Sequence, residues 1–66
     1  MPRYFINVHF DDHVARDPVG VEVADLAEVV NQAKKARAEI MHEDELVNLW
    51  LEILDERGSI VAKVGQ

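Results

Sequence analysis

Three periodicities follow one another along this chain and take up most of its 66 residues. From Arg3 to Phe10 the residues alternate, with Tyr4, Ile6, Val8 and Phe10 on one side and Phe5, Asn7 and His9 on the other, the period of a strand. From Leu26 to Met41 the apolar residues Leu26, Val29, Val30, Ala33, Ala36, Ile40 and Met41 recur at helical spacing and make one continuous stripe. From Leu46 to Leu54 the alternation returns, and Val47, Leu49, Leu51 and Ile53 share a face. A single helical stripe must be buried against something, and the flanking segments supply a sheet for it. The pattern predicts one small α+β domain over residues 1–66, a two-layer ββαββ unit with one helix packed on a mainly antiparallel four-stranded sheet.

The connecting residues fit that order. Asp11 to Pro18 is polar, contains a proline and has no helical stripe, so it is expected to be a loop between two antiparallel strands. Gly20 opens the second strand, with Val21 and Val23 facing the core and Glu22 the solvent. Asp25 suits a helix N-cap, and Glu28 three residues later suits a capping box. After the polar link Glu43-Asp44-Glu45 comes the most apolar strand. Asp55-Glu56-Arg57-Gly58 has the composition of a type I turn closed by a glycine bulge, returning the chain as a fourth strand from Ser59 to Val64. Strand order stays open, since the same residue pattern can be wound in several ways.

A domain of this length buries only about 60% of the surface its unfolded chain exposes, and small domains of this kind usually carry some reinforcement. The chain has no cysteine, which removes disulfides and cysteine-ligated zinc from the options. Self-association remains, and a homodimer is expected. The absence of cysteine fits a reducing interior, and the start Met-Pro-Arg-Tyr-Phe lacks the apolar run of a signal peptide or membrane span, so a cytoplasmic, bacterial-type protein is expected. Seven Lys and Arg against thirteen Asp and Glu give a net charge of −6, which disfavours nucleic acid and anionic membrane surfaces as partners. Lys34, Lys35 and Arg37 lie among Glu28, Glu39 and Glu43 and read as a solvated helix surface.

Little is left over for chemistry. There is no Cys or Thr and one serine, Ser59, which follows a turn glycine with no histidine near it in sequence. The glycines are scattered, so no phosphate loop and no cofactor is implied. His9, Asp11, Asp12 and His13 form the one cluster with metal-ligand character, and they would bind a metal if the loop curled back to bring His13 toward His9. If Val47, Leu49, Leu51 and Ile53 face the helix, Trp50 and Leu54 emerge on the opposite side of the sheet with Phe5 and His9. These four form an expected interaction surface, rimmed by Asn48, Glu52 and Lys63. Arg37 interrupts the helical stripe and is expected either to snorkel past the sheet edge or to meet a carboxylate at a dimer contact.

Pro2-Arg3-Tyr4-Phe5, the acidic pair Asp11-Asp12, Gly20-Val21-Glu22 leading into Asp25-Leu26, and Asp55-Glu56-Arg57-Gly58 together resemble the small bacterial proteins of the domain-of-unknown-function family DUF6894. That family usually reads Asp-Gly where this chain has Asp11-Asp12. The resemblance implies a stand-alone small domain and brings no catalytic residues with it. At the level of pattern alone, the aromatic strand, acidic loop, second strand and Ala-rich helix are also similar to HicB-type antitoxin domains. That likeness implies a protein that acts by covering a separately encoded partner.

Overall fold

A computed structural model describes residues 2–44 and 48–65. The chain runs β1 (Arg3–Phe10), β2 (His13–Ala15), β3 (Val21–Glu22), α1 (Leu26–Asp44), β4 (Leu49–Leu54) and β5 (Ile60–Val64). One helix lies on one face of an antiparallel sheet, as the periodicities require. The sheet has five strands rather than four, in the order β2-β1-β4-β5, with β3 paired to β1 beside β2.

The additional strand comes from the segment expected to be loop. Phe10 pairs with His13, His9 with Val14 and Val8 with Ala15, so only Asp11 and Asp12 separate β1 from β2. Asp11 takes a φ of 51° and Asp12 keeps a negative one, a local cost that aspartate bears better than most side chains. The expected second strand is reduced to Val21–Glu22, which pairs with Tyr4 and Arg3 at the other end of β1. Leu46 and Val47, expected to start the third strand, lie outside the described residues.

The helix starts where the sequence places it. Asp25 Oδ1 accepts from the Glu28 amide at 2.9 Å, and Glu28 Oε2 reaches back to the Ala24 amide at 3.0 Å, one residue ahead of the cap. One first-turn donor and the amide just ahead of the cap are thereby satisfied; such a cap stabilises a helix by about 1 kcal/mol. Val29 and Ala33 are fully buried, whereas Leu26, one turn earlier at the first helical position, is exposed.

Under the helix, Leu49, Leu51 and Ile53 of β4 are buried, joined by Val23 and Val64, with Tyr4, Ile6, Val8 and Phe10 of β1 packed around them. Arg37 sits inside the apolar stripe, and no carboxylate among the described residues pairs with it. Its Nε donates to the Leu49 carbonyl at 3.0 Å, and its guanidinium crosses Gly65, where any Cβ would overlap it. The arginine therefore ties the helix to the start of β4 and the end of β5. The last hairpin closes as its sequence indicates: Gly58 has φ 83° and donates to the Asp55 carbonyl, while Asp55 Oδ1 accepts from the amides of Arg57 and Ser59. A register shift between Ile53 and Leu54 marks the bulge.

Candidate functional site

The face of the sheet turned away from the helix is built in rows by strand register. Phe5 lies opposite Leu54, Asn7 opposite Glu52 and then Lys63, and His9 opposite Trp50, with Val14 of β2 beyond His9. The four residues expected to form an interaction surface are all on this face. They do not form one continuous patch, because Glu52 is not at the rim. It stands in the middle, between the Phe5–Leu54 pair and the His9–Trp50 pair.

That central row is tightly connected. Asn7 is 5% exposed, donates from Nδ2 to Glu52 Oε1 at 3.1 Å and accepts the Asp17 amide on Oδ1 at 3.0 Å. His9 Nε2 lies 3.0 Å from the same Glu52 oxygen, with side-chain exposures of 19% and 12%. The ring nitrogen is close to the carboxylate but not aimed along a hydrogen bond, so the contact is chiefly electrostatic and becomes an ion pair when the imidazole is protonated. The His9 contact, reinforced by the Asn7 amide and by Arg16, outweighs burial and holds the Glu52 carboxyl below its ordinary value of 4.5.

The aromatic residues are covered in part by their own chain. The His9 and Trp50 rings stack at 3.9 Å with their planes 9° apart, and Lys63 Nζ stands 5.5 Å from the indole centre. Phe5 packs against Gly20, where a Cβ would come within 2.9 Å of the ring and of the Tyr4 carbonyl; Gly20 also has φ 81°. A cleft of about 240 Å³ remains between Phe5, Leu54, Arg16 and the turn at Glu56.

The metal-like cluster is not brought together. His9 points to the helix-free face, whereas the two-residue turn puts His13 opposite Phe10 on the other side of the sheet, with those rings 5.4 Å apart. Asp11 and Asp12 form the exposed turn. Among the described residues no group of three or more His, Cys, Asp or Glu is placed to hold a metal ion. The physical reason is the short hairpin: a longer loop could have returned His13 toward His9, but β2 pairing alternates the two imidazoles to opposite faces.

Asp17 has a role that sequence reading missed. β2 and β3 occupy the two ends of one β1 edge, and the Asp17 carboxylate fills the gap between them, accepting from the Ile6 amide at 3.2 Å as a strand carbonyl would. Its other oxygen accepts from the amides of Val19 and Gly20 at 3.1 and 2.9 Å. Burial pushes the Asp17 carboxyl up, but the Gly20, Ile6 and Val19 amides and Arg3 together bring it below its ordinary value. The Asp17-Pro18 pair was a visible turn signal; nothing in the sequence specified that its carboxylate would face Ile6.

At the same end of the sheet the guanidinium of Arg3 donates to Glu22 and, at 2.6 Å, to the Val19 carbonyl, and the Arg3 amide donates to Glu56 Oε1 at 2.9 Å. The opening, middle and closing segments of the chain therefore meet at Arg3. A family model described as "Domain of unknown function (DUF6894)" matches residues 3–65. The chain belongs to the DUF6894 family. Three of the segments by which it resembles DUF6894 proteins, Pro2–Phe5, Gly20–Glu22 and Asp55–Gly58, meet around Arg3, Gly20 and Glu56, which fasten β3 and the last hairpin to β1. Neither the curated proteins nor the solved structures gave a match. No helix among the described residues is long and apolar enough to cross a membrane.

Acid titration tests the two carboxylates. Both are depressed in the folded state, so each contributes stability that is present above the unfolded values of 3.8 and 4.5 and is lost as pH falls through the folded ones. The urea midpoint, followed by the fluorescence of the single tryptophan, is expected to fall below about pH 4. In Glu52→Gln the fall is expected to be shallower. Equal slopes in the two proteins would remove Glu52 from the account.

Proposed function

We propose that this DUF6894 protein is a small homodimeric binding module that works by protein–protein association and performs no catalysis. The observation that carries this reading is architectural: one helix covers one face of the sheet, and the other face presents Phe5, His9, Trp50 and Leu54 around a polar row. Such a face is normally completed by another layer. The small apolar core gives a second copy a stabilising role as well.

Its residues suit recognition better than reaction. Glu52 is held ionised, with one oxygen engaged by Asn7 and His9, and Ser59 is tied into its turn through its backbone. Trp50 offers a rigid ring, with Lys63 and Arg16 supplying positive charge on a chain of net charge −6. This favours a protein surface carrying carboxylates over nucleic acid or lipid headgroups.

A native mass spectrum of untagged protein is expected to give twice the 7.5 kDa chain mass, without a metal increment. Sedimentation equilibrium that fits a monomer up to about 100 μM would overturn the reading, because a working dimer of this size needs micromolar affinity or better.

A further inference from the structure

The middle of the helix-free face holds a histidine, the side chain whose charge ordinarily changes near neutral pH. His9 Nε2 has no hydrogen-bond partner, yet it stands 3.0 Å from Glu52 Oε1, and both side chains are largely buried. The stack on Trp50 holds the imidazole in place, and the Asn7 amide, donating to the same oxygen at 3.1 Å, holds the carboxylate. Among the described residues, the other charged groups facing the pair come from its flanks. Arg16 follows β2, and Lys63 lies opposite Glu52 on β5. Both are exposed and neither forms an ion pair with Glu52, the Lys63 ammonium standing over the indole instead. Asp17 is turned to the Ile6, Val19 and Gly20 amides, and His13 lies on the other side of the sheet.

We propose that proton uptake by His9 tightens the association of two copies through this face, by converting the His9–Glu52 contact into an ion pair. This rests on the homodimeric reading above and specifies its regulation.

With the imidazole neutral, a covering layer strips the remaining water from a carboxylate that no cation touches. An unpaired buried charge costs far more than a paired one. With the imidazolium formed, the layer covers a neutral pair whose members the monomer already holds 3.0 Å apart. A two-fold contact through this face buries the row once from each copy, so the effect enters twice. Linkage then fixes the direction: if the protonated form associates better, the dimer takes up protons, and association tightens as pH falls through the range in which histidine titrates. Glu52, held below its ordinary value of 4.5, stays ionised through that range.

Sedimentation equilibrium at about pH 5.5 and about pH 7.5, either side of the ordinary histidine value of about 6.5, tests this with three proteins. The wild-type dimer is expected to be about tenfold tighter at the lower pH, the change that one unit of altered proton affinity produces. His9→Gln retains His13, His42 and every carboxylate, so it measures what acidification does to this chain without His9. It is expected to change less than about threefold, a small part of that tenfold. Glu52→Gln is expected to lose the tightening, because the imidazolium then has no carboxylate to pair with. A wild-type dimer that is no tighter at the lower pH, or an equal tightening in either variant, would overturn the role of the pair while leaving association intact. Where His9→Gln does not associate at either pH, the result in Glu52→Gln decides. Wild-type monomers at both pH values would overturn the homodimeric reading and its regulation together.

Discussion

Asp17→Ala is expected to lower stability by about 3 kcal/mol, since hydrogen bonds to a charged acceptor contribute about 1.5–3 kcal/mol each and are not additive. The Ile6, Val19 and Gly20 amides all donate to this carboxylate. Ile6 is the decisive one: neither β2 nor β3 reaches that part of β1, so its amide would be left without the acceptor that replaces a strand. A single core in a chain of this size rarely supplies more than about 3–5 kcal/mol, so the variant is expected to be largely unfolded at neutral pH. Asp17→Asn retains one carbonyl acceptor and is expected to fall between the two. Urea denaturation followed by circular dichroism measures the difference. A loss below about 0.5 kcal/mol in Asp17→Ala, within the range of ordinary surface substitutions, would show that the amides find other partners.

Leu51→Ala is expected to have a comparable or larger effect through a different mechanism. Leu51 is fully buried at the centre of β4, between Val8 of β1 and Val64 of β5 and beneath the helix. Truncation removes the transfer energy of its lost methyl and methylene groups and leaves a cavity, together about 2–5 kcal/mol. Leu51→Met keeps most of the volume and is expected to cost less than about 1.5 kcal/mol. Leu54→Ala, three residues along on the helix-free face and half-buried, separates burial from strand propensity and is expected to cost less than Leu51→Ala. Thermal melts of the three variants give the order. Equal losses for Leu51→Ala and Leu54→Ala would mean that both faces of the sheet are equally covered in solution, which is the signature of a tight association through the Trp50 face.

The helix and the two long strands were legible because their periods are long and unbroken. Alternation from Arg3 to Phe10 and from Leu49 to Leu54 puts the correct side chains under the helix, and Asp25 and Glu28 mark its start. The Asp55–Gly58 turn was legible because a glycine with positive φ completes it. β2 was not, since His13-Val14-Ala15 is three residues long, exposed, and held only by pairing to β1. The same pairing separates His9 from His13. Trp50, His9, Phe5 and Leu54 were placed on the correct face by alternation, but alternation gives no register, so it did not reveal that Asn7 and Glu52 meet between them.

The division follows from the range of the interactions. Local patterning along the chain is enough to set which elements form and which side of each is apolar, because helix and strand periods act within a few residues. Strand order, the Asp17 substitute for a missing strand, the Asn7–Glu52–His9 row and the Arg37 tie between α1, β4 and β5 join residues 10 or more positions apart. Only tertiary structure decided these, because each depends on which strands lie side by side and in what register.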